Sequence, residues 1–287
     1  MNVRESDDAP SNFVRPRHTS PGSHPLKGFP CSALRRCIGN EVTARAAPDG
    51  YTLLLATAGQ MVINQSLYPD SGHDPIRDLA PIALFATSPL MLVVHPSVPA
   101  HSVRELIALA KSAPGRLNHG SGGGGSPAHL AAELFKAMTG TKMTHVPFKG
   151  VAPSVLAVIA GEIDLTFASI AAVLPQVKAQ RLRALAVSTP RRSQIVPELP
   201  TIAEAGVPGY EVTTWFALFG PAALPKDIIA RLNAEVTRIL ALPDVRERLY
   251  DSGAEPGSLT ADELGAFVRA DAARWAKVIK AAGIKGD

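Results

Sequence analysis

Short apolar runs alternate with amphipathic segments over most of this 287-residue chain. The runs lie at residues 51–58, 91–95, 116–119, 144–148, 163–167, 182–188 and 213–220. Most of them are continuously apolar rather than alternating, as expected of strands whose two faces are both covered by helices. The pattern therefore predicts an α/β fold built on a parallel sheet.

The segments between these runs begin and end with residues that cap helices. Ser or Thr is followed three residues later by Glu at 102–105, 201–204 and 260–263, which is the capping-box spacing. Ser126 followed by Pro127 predicts another helix start, and Gly140 predicts its end. We therefore predict a helix after each of these caps, the one at 201 being short, and a further amphipathic helix over residues 226–240.

Composition argues against several classes of protein. The net charge of +4 comes without a cluster of Lys and Arg, which disfavours nucleic-acid binding but mildly favours anionic ligands. No apolar stretch approaches the roughly 18 residues that span a bilayer. The two cysteines, Cys31 and Cys37, have no partner cysteines or histidines at zinc-binding spacing, so neither a metal nor a cofactor is predicted.

Residues 1–38 differ from the rest of the chain. They are rich in Pro, Ser, His and Arg and show no periodicity, so we expect this segment to be disordered. It also lacks the continuous apolar core of a signal peptide. Taken literally, the sequence predicts a protein that stays in the cytoplasm.

The most informative motif is the Gly-rich segment HGSGGGGSPAHL at residues 119–130, between a predicted strand and a predicted helix. Such a turn presents free backbone N–H groups at a helix N-terminus, where the helix dipole favours an anion. The alternative is a flexible linker, because GGGGS is linker-like. The motif lacks the GK[ST] of a phosphate loop, the acidic residue of a dinucleotide site and the GxSxG of a hydrolase.

Side chains beside this segment have both a binding and a structural interpretation. Ser121 and His129 either contact a ligand or hold the turn, and Ser126 is the predicted N-cap. His129 is expected to be neutral, since the positive end of the helix dipole opposes its protonation. An enzyme would use His129 as base with Ser121 or Ser126 as nucleophile, but the sequence places no third group to orient the base.

Two further turns offer backbone N–H groups. The segment HVPFKGVAP at residues 145–153 leads from a strand into a helix, with Gly150 and Val151 at the helix start. Lys149 is either a cation for a carboxylate or an ordinary surface lysine. The segment ATAGQ at residues 56–60 ends the first predicted strand, and open α/β sheets bind ligands at the carboxyl ends of strands.

At these motifs the chain resembles the substrate-binding proteins of tripartite tricarboxylate transporters, the Bug family. The resemblance runs from about residue 39 to the end, and is carried by APDGYTLLLAT (47–57), the Gly-rich segment, THVPFKG (144–150) and LPTIAEAGVPGYE (199–211). It implies a type II periplasmic-binding-protein-like fold of two α/β lobes, residues 39–90 plus 221–287 and residues 91–220. LMLVVHPS (90–97) and TTWFALFGP (213–221) would be the crossing hinge strands, with Trp215 in the core or hinge.

The resemblance also implies a function without catalysis. Family members are periplasmic proteins, here expected to be monomeric, that capture a small organic carboxylate for the membrane subunits of a transporter. They hold the carboxylates largely through backbone N–H groups of strand-to-helix turns. By position, the ligand-binding residues of this chain would be Thr57, Ala58, Gly59, Ser121, Gly124, Ser126, His129, Gly150 and Val151.

This sequence departs from the family pattern in two places. Residues 1–38 show neither a signal peptide nor the first strand with its PFPPGG-like turn, and Ala168 and Ser169 stand where an Asp is common. The first departure keeps two alternatives open, a sensor outside transport and a degraded remnant that binds nothing. A hydrolase-like enzyme on the same fold is the third alternative.

Overall fold

The computed structural model describes residues 31–67 and 74–284. The strands are β1 (Leu54–Thr57), β2 (Leu79–Val94), β3 (Asn118–Ser121), β4 (Thr144–Pro147), β5 (Leu165–Ser169), β6 (Arg183–Val187), β7 (Thr213–Pro221) and β8 (Glu255–Pro256). The helices are α1 (Cys31–Ala44), α2 (Asn64–Leu67), α3 (Pro75–Asp78), α4 (Val103–Ser112), α5 (Pro127–Thr139), α6 (Val151–Ile159), α7 (Ile170–Lys178), α8 (Lys226–Leu240), α9 (Pro243–Asp251) and α10 (Ala261–Ala282), with a π-helical turn at Gly59–Ile63. The predicted α/β class is confirmed.

The long strand β2 organises the sheet. The strands follow the order β1-β7-β2-β5-β3-β4, while β6 and β8 also pair with β2. Residues 79–89 of β2 pair with β7, and its last residues, 90–94, pair with β5. One continuous strand therefore belongs to two sheet regions, the first around β7 and the second around β5.

The sheet is mixed, so the prediction of a parallel sheet is correct only in part. β3 pairs in parallel with β4 and with β5, whereas β2 is antiparallel to β5, β6 and β7, and β1 is antiparallel to β7. A continuous apolar run indicates that both faces of a strand are covered, but it carries no information about the direction of the neighbouring strand. The apolar pattern therefore could not predict the direction of the strands.

The start of β2 also differs from the prediction. The strand begins at Leu79, not at Met91, and includes Pro81 and Pro89. Proline lacks the N–H that a central strand donates, so its presence argued against a strand there. In the structure Pro81 adjoins a register shift between β2 and β7, and Pro89 is the last β2 residue paired with β7. The prolines thus occupy the positions where the ladder tolerates them.

Helices cover both faces of the second sheet region. Leu92 and Val94 of β2 belong to a core that also contains Leu106 of α4 and Phe135 of α5. The intervening residue Val93 belongs to a separate core with α6 and α7. Successive side chains of β2 therefore point into two different cores, which is why this run contains no polar residue.

The strand pairings bear on the expected division into lobes. β2 passes from the first sheet region to the second at Leu90, close to the predicted boundary at residues 90 and 91. β7 pairs along its length with β1 and the first part of β2, so residues 213–220, expected in the second lobe, lie in the sheet of the first. The lobe boundaries themselves stay a prediction.

Two local predictions need correction. Residues 31–38, expected to be disordered, form the first part of helix α1; residues 1–30 lie outside the described residues. The short helix predicted after Thr201 is a series of hydrogen-bonded turns that ends at Gly206, although Thr201 and Glu204 make the reciprocal capping bonds. The capping-box hydrogen bonds therefore form at this position, but no α-helix follows them. Over residues 31–67 and 74–284, no helix is long and apolar enough to cross a membrane.

Trp215 of β7 lies in the core, as predicted, and is fully buried. Its Nε1–H donates a hydrogen bond of 2.8 Å to Oδ2 of Asp271 on α10, while Oδ1 of Asp271 accepts one from Arg274. The Asp271 side chain is fully buried, so its charge depends on these two donors. The Trp215–Asp271 hydrogen bond therefore connects α10 to the sheet.

We predict that Asp271→Ala lowers the free energy of unfolding by about 2–5 kcal/mol, because it leaves the buried Trp215 N–H without its acceptor and removes one of the two carboxylates that pair with Arg274, the other being Glu211. Asp271→Asn keeps an acceptor for Trp215 and should be milder. The control is Glu235→Ala, which removes an exposed ion pair with Arg238 and should change stability by at most about 1 kcal/mol. Urea unfolding followed by tryptophan fluorescence measures all three; equal effects of Asp271→Ala and Glu235→Ala would contradict the assigned role.

Candidate functional site

The Gly-rich segment is an ordered turn between β3 and α5, not a flexible linker. Gly123 and Gly125 have φ angles of 117° and 67°, which L-residues with a side chain rarely adopt. The Gly123 N–H donates to Ser121 Oγ (3.2 Å), and the Gly125 N–H donates to His129 Nδ1 (3.1 Å). The N–H groups of Gly122 and Gly124 donate no hydrogen bond within the part of the chain that the structure describes. The N–H groups of Gly122 and Gly124 are therefore available to hydrogen-bond a ligand.

The turn between β4 and α6 lies against the Gly-rich turn. The Phe148 N–H donates to the Ser121 carbonyl oxygen at 3.0 Å. A methyl group added at Gly122 would lie 3.2 Å from the Gly150 carbonyl carbon and 3.3 Å from the Val151 nitrogen. Gly150 precedes α6 with a φ of 117°, and neither Gly150 nor Val151 donates its N–H to another described residue. Unpaired amides thus occur on two touching turns, one leading into α5 and one leading into α6.

In the third turn, which follows β1, Gln60 takes up hydrogen-bond donors of Thr57. The Thr57 N–H and hydroxyl both approach Gln60 Oε1, at 3.0 and 3.4 Å, and Ala58 is buried. Gly59 begins the π-helical turn. Of the predicted binding residues, Ser121, Gly124, Ser126, His129, Gly150 and Val151 lie on or beside the two touching turns, whereas Thr57, Ala58 and Gly59 make no hydrogen bond to either turn within the described residues.

The polar side chains of this group hold the turn in shape. Ser126 Oγ accepts from the His129 N–H, which confirms it as the N-cap of α5. His129 Nδ1 accepts from Gly125, so that nitrogen carries no proton. The buried Ser121 hydroxyl contacts the Gly123 carbonyl (3.1 Å) and His145 Nε2 (2.7 Å). These side chains therefore hold the turn in a shape that leaves the N–H groups of Gly122 and Gly124 unpaired.

A cavity of about 620 Å³ opens beside the Gly-rich turn, between α5, the end of β4 and the end of α10. Its volume is in the range typical of small-molecule sites. Its lining residues are Gly123, Gly124, His129, Glu133, Lys136, His145, Pro147, Phe148, Lys149, Gly283 and Ile284. The described residues contain no group of acidic residues, histidines or cysteines arranged to hold a metal ion.

The sequence profile of the family described as "Tripartite tricarboxylate transporter family receptor" matches residues 33–284. The chain belongs to this family. The protein BugT of Bordetella pertussis is 34% identical to this receptor over 249 residues, which are 86% of this chain and 76% of BugT. A UPF0065 protein from the tcbD–tcbE intergenic region of Pseudomonas sp. strain P51 is 36% identical over 243 residues, 84% of this chain and 72% of the relative.

Solved structures of periplasmic binding proteins share the fold of this receptor. R. palustris Rpa4515, determined with adipate, is 39% identical with a TM-score of 0.73, and the match covers 87% of this chain and 83% of that chain. MatC from Rhodopseudomonas palustris, determined with bound malate, is 31% identical with a TM-score of 0.68, covering 84% and 83%. The predicted fold and the predicted family are both confirmed.

The receptor also contains a stack of histidines that the sequence analysis missed. The His145 ring lies between those of His119 and His129, with centroid distances of 5.0 and 3.9 Å and interplanar angles of 18° and 7°. His119 and His145 face each other in register on the parallel strands β3 and β4, and His129 comes from the first turn of α5. A signal was present, because each histidine lies in a short strand or in the first turn of a helix that adjoins a glycine turn. Their separation in sequence concealed it.

Glu133 of α5 links the outer rings of this stack to a lysine. Its Oε1 lies 2.7 Å from Lys136 Nζ, 3.6 Å from His129 Nε2 and 3.7 Å from His119 Nε2. Burial alone would raise the pKa of Glu133, but the contacts with His119 and His129 and the hydrogen bond from Lys136 outweigh burial and hold the pKa well below its usual range. Glu133 is therefore ionised at neutral pH.

The histidines resist protonation. Burial lowers the pKa of His119, against the opposing effect of the nearby Glu133 carboxylate. Burial, followed by the charges of His129 and His119, lowers the pKa of His145 from its usual 6.5 to about 4. Burial therefore keeps His119 and His145 uncharged at neutral pH, close to the ionised carboxylate of Glu133.

We predict that the receptor loses stability as the pH falls from about 6.5 to about 4. In this window the unfolded chain binds a proton at His145 and the folded chain does not, so protonation favours unfolding. Melting temperatures across this range should fall less steeply for His145→Gln than for the unchanged chain. The matched control is His101→Gln, at an exposed histidine. An identical slope for His145→Gln and the unchanged chain would contradict the burial of a neutral His145.

Proposed function

We propose that this chain is an extracytoplasmic receptor that binds a small organic carboxylate and delivers it to the membrane subunits of a tripartite tricarboxylate-type transporter. The observation that carries the proposal is the set of unpaired N–H groups on the two touching turns, at Gly122, Gly124, Gly150 and Val151. Each hydrogen bond from such a group to a charged carboxylate contributes about 1.5–3 kcal/mol. The dipoles of α5 and α6 each add about 0.3–1 kcal/mol.

The ligands of two structural relatives support the same chemical class. Rpa4515 was determined with adipate and MatC with malate, and both compounds are dicarboxylates. We infer that this receptor also takes a carboxylate of small size, because its cavity of about 620 Å³ has the Gly-rich turn in its wall. We propose the periplasm as its location, in line with the relative described as the periplasmic binding protein BugD.

We further propose that the receptor closes around its ligand by a hinge motion. The lobes would be residues 39–90 plus 221–287 and residues 91–220, with β2 running through both. Closure would bring the turn at Thr57, Ala58 and Gly59 toward the Gly-rich turn. We expect the receptor to act as a monomer, without a cofactor and without nucleic acid.

We propose that the receptor does not catalyse a reaction. Ser121 and His145 form a close hydroxyl–imidazole pair, but Ser121 is fully buried and its oxygen also accepts from Gly123. A base in a nucleophilic enzyme is oriented by a third group, and Nδ1 of His145 has no hydrogen-bond partner among the described residues. This pair has a simpler role in holding the turn. Release of product from an activated ester in a burst would contradict this proposal.

We predict that at least one acid in a panel of mono-, di- and tricarboxylates raises the melting temperature of the unchanged chain. At a ligand concentration of about 100 times Kd the stabilisation is about 2.7 kcal/mol, or roughly 5–10 °C for a protein of this size. Calorimetry then gives the affinity. A panel that produces no shift would count against binding, and would favour the sensor or remnant alternatives.

We predict that Gly124→Phe abolishes this shift, because its side chain would stand where the ligand approaches the backbone. The matched control is Gly140→Asn at the other end of α5, a left-handed position with open space around it that Asn tolerates. The control should keep the shift. Unchanged affinity in Gly124→Phe would remove the Gly-rich turn from the binding site.

A further inference from the structure

The cavity beside the Gly-rich turn contains charges of both signs, and only some of them are neutralised within the protein. Glu133 and Lys136 pair with each other at 2.7 Å. Lys149, on the turn before α6, lines the same cavity and is exposed, and it has no ion-pair partner among the described residues. This leaves one free cation near the unpaired Gly124 amide, which is a suitable environment for one carboxylate.

Glu133 has one oxygen left for a ligand. All its contacts from Lys136, His129 and His119 converge on Oε1. Oε2 makes no hydrogen bond within the described part of the chain, and it is absent from the buried atoms that lack a partner, so it reaches solvent. The Glu133 side chain is 12% exposed and lines the cavity. An ionised oxygen that accepts hydrogen bonds therefore faces the space that the ligand would occupy.

The two polar ends of the cavity are separated along α5. Glu133 follows the N-cap Ser126 by seven residues, which is about 10 Å of helix rise, and its side chain leans back toward the N-terminus and His129. His129 and His145 line this side of the cavity. A ligand would thus meet hydrogen-bond donors and a cation at one end, and at the other, about 6–10 Å away, the Glu133 Oε2 acceptor beside the Lys136 ammonium that pairs with Oε1.

We propose that the receptor selects an organic acid of about four to six carbons that carries a hydrogen-bond donor, an ammonium or hydroxyl group, at the end remote from its anchoring carboxylate. The Gly124 N–H and Lys149 bind the carboxylate, and Glu133 Oε2 accepts from the donor. A second carboxylate at that end would bring a second acceptor against Glu133 Oε2 and bind more weakly. This inference rests on the proposed function, and assigns to Glu133 the role of specificity-determining residue.

Compounds of equal length that differ only at the remote end test this inference. Calorimetry with 6-aminohexanoate, 6-hydroxyhexanoate and adipate, and with 4-aminobutyrate, 4-hydroxybutyrate and succinate, compares ammonium, hydroxyl and carboxylate ends. We expect the ammonium compound of at least one length to bind about tenfold or more tightly than the matching diacid, since a charge-assisted hydrogen bond replaces a repulsion. Equal or tighter binding of the diacid at both lengths would overturn the inference and leave the proposed function standing.

Glu133→Gln removes the charge and keeps an oxygen that accepts hydrogen bonds. We expect this variant to lose about tenfold in affinity for the ammonium compound, to keep most of its affinity for the hydroxyl compound, and to bind the diacid more tightly. If the ratio of ammonium compound to diacid stays as in the unchanged chain, Glu133 does not read the remote end and the inference fails.

Lys149→Ala provides a second test that does not depend on the stability of the Glu133 variant, because Lys149 is exposed. We expect it to weaken all the acids by a similar factor, and so to preserve the preference between ends. Lys142→Ala, at an exposed lysine just before β4, is the matched control and should change no affinity. A changed preference in Lys149→Ala would contradict the assignment of the two ends. If none of the acids binds the unchanged chain, the inference fails together with the carboxylate proposal.

Discussion

The organisation of the binding region depends on how the Gly-rich turn satisfies its backbone amides. Gly123 and Gly125 donate inward, to the Ser121 hydroxyl and the His129 ring, and the positive φ angles of both glycines make this alternation possible. The amides of Gly122 and Gly124, between and beside them, then have no partner within the described residues. Unpaired backbone N–H groups need an acceptor, and near a helix start an anion is the favoured one. The geometry of the turn therefore creates a place for an anionic ligand.

The histidine stack contacts the Gly-rich turn and helps to hold its shape. His145 contacts Ser121, His129 contacts Gly125, and the register of β3 and β4 places the His119 ring beside that of His145. Burial keeps His119 and His145 uncharged, while their neighbour Glu133 stays ionised through its contacts with the same rings and with Lys136. One set of contacts thus fixes the shape of the turn and places a negative charge in the wall of the cavity. Shape and specificity are coupled here because the same α5 residues serve both.

Much of the fold could be predicted from local patterns, and the errors share a cause. The Ser102 and Thr260 caps, the Ser126–Pro127 start and the Gly140 end of α5 were all correct, since capping depends on residues within one turn. The antiparallel pairing of β2 and the early start of that strand were missed, since they depend on strands distant in sequence. The same holds for the site. The two Gly-containing turns were found from their own sequence, but the stack and Glu133 required knowledge of which strands are neighbours.

The sequence by itself determined the α/β class, the helix boundaries and the turns that expose amides, because glycine, proline and capping residues act over a few positions of chain. It also carried the resemblance that the family match bears out. Tertiary structure alone decided that β3 and β4 are adjacent and in register, that Gly122 touches Gly150, and that Glu133 meets histidines from two elements. Except for the His129–Glu133 contact, which spans one turn of α5, these contacts join residues 14 or more positions apart through packing, so no local pattern encodes them. They set the charge and the shape that a ligand would meet.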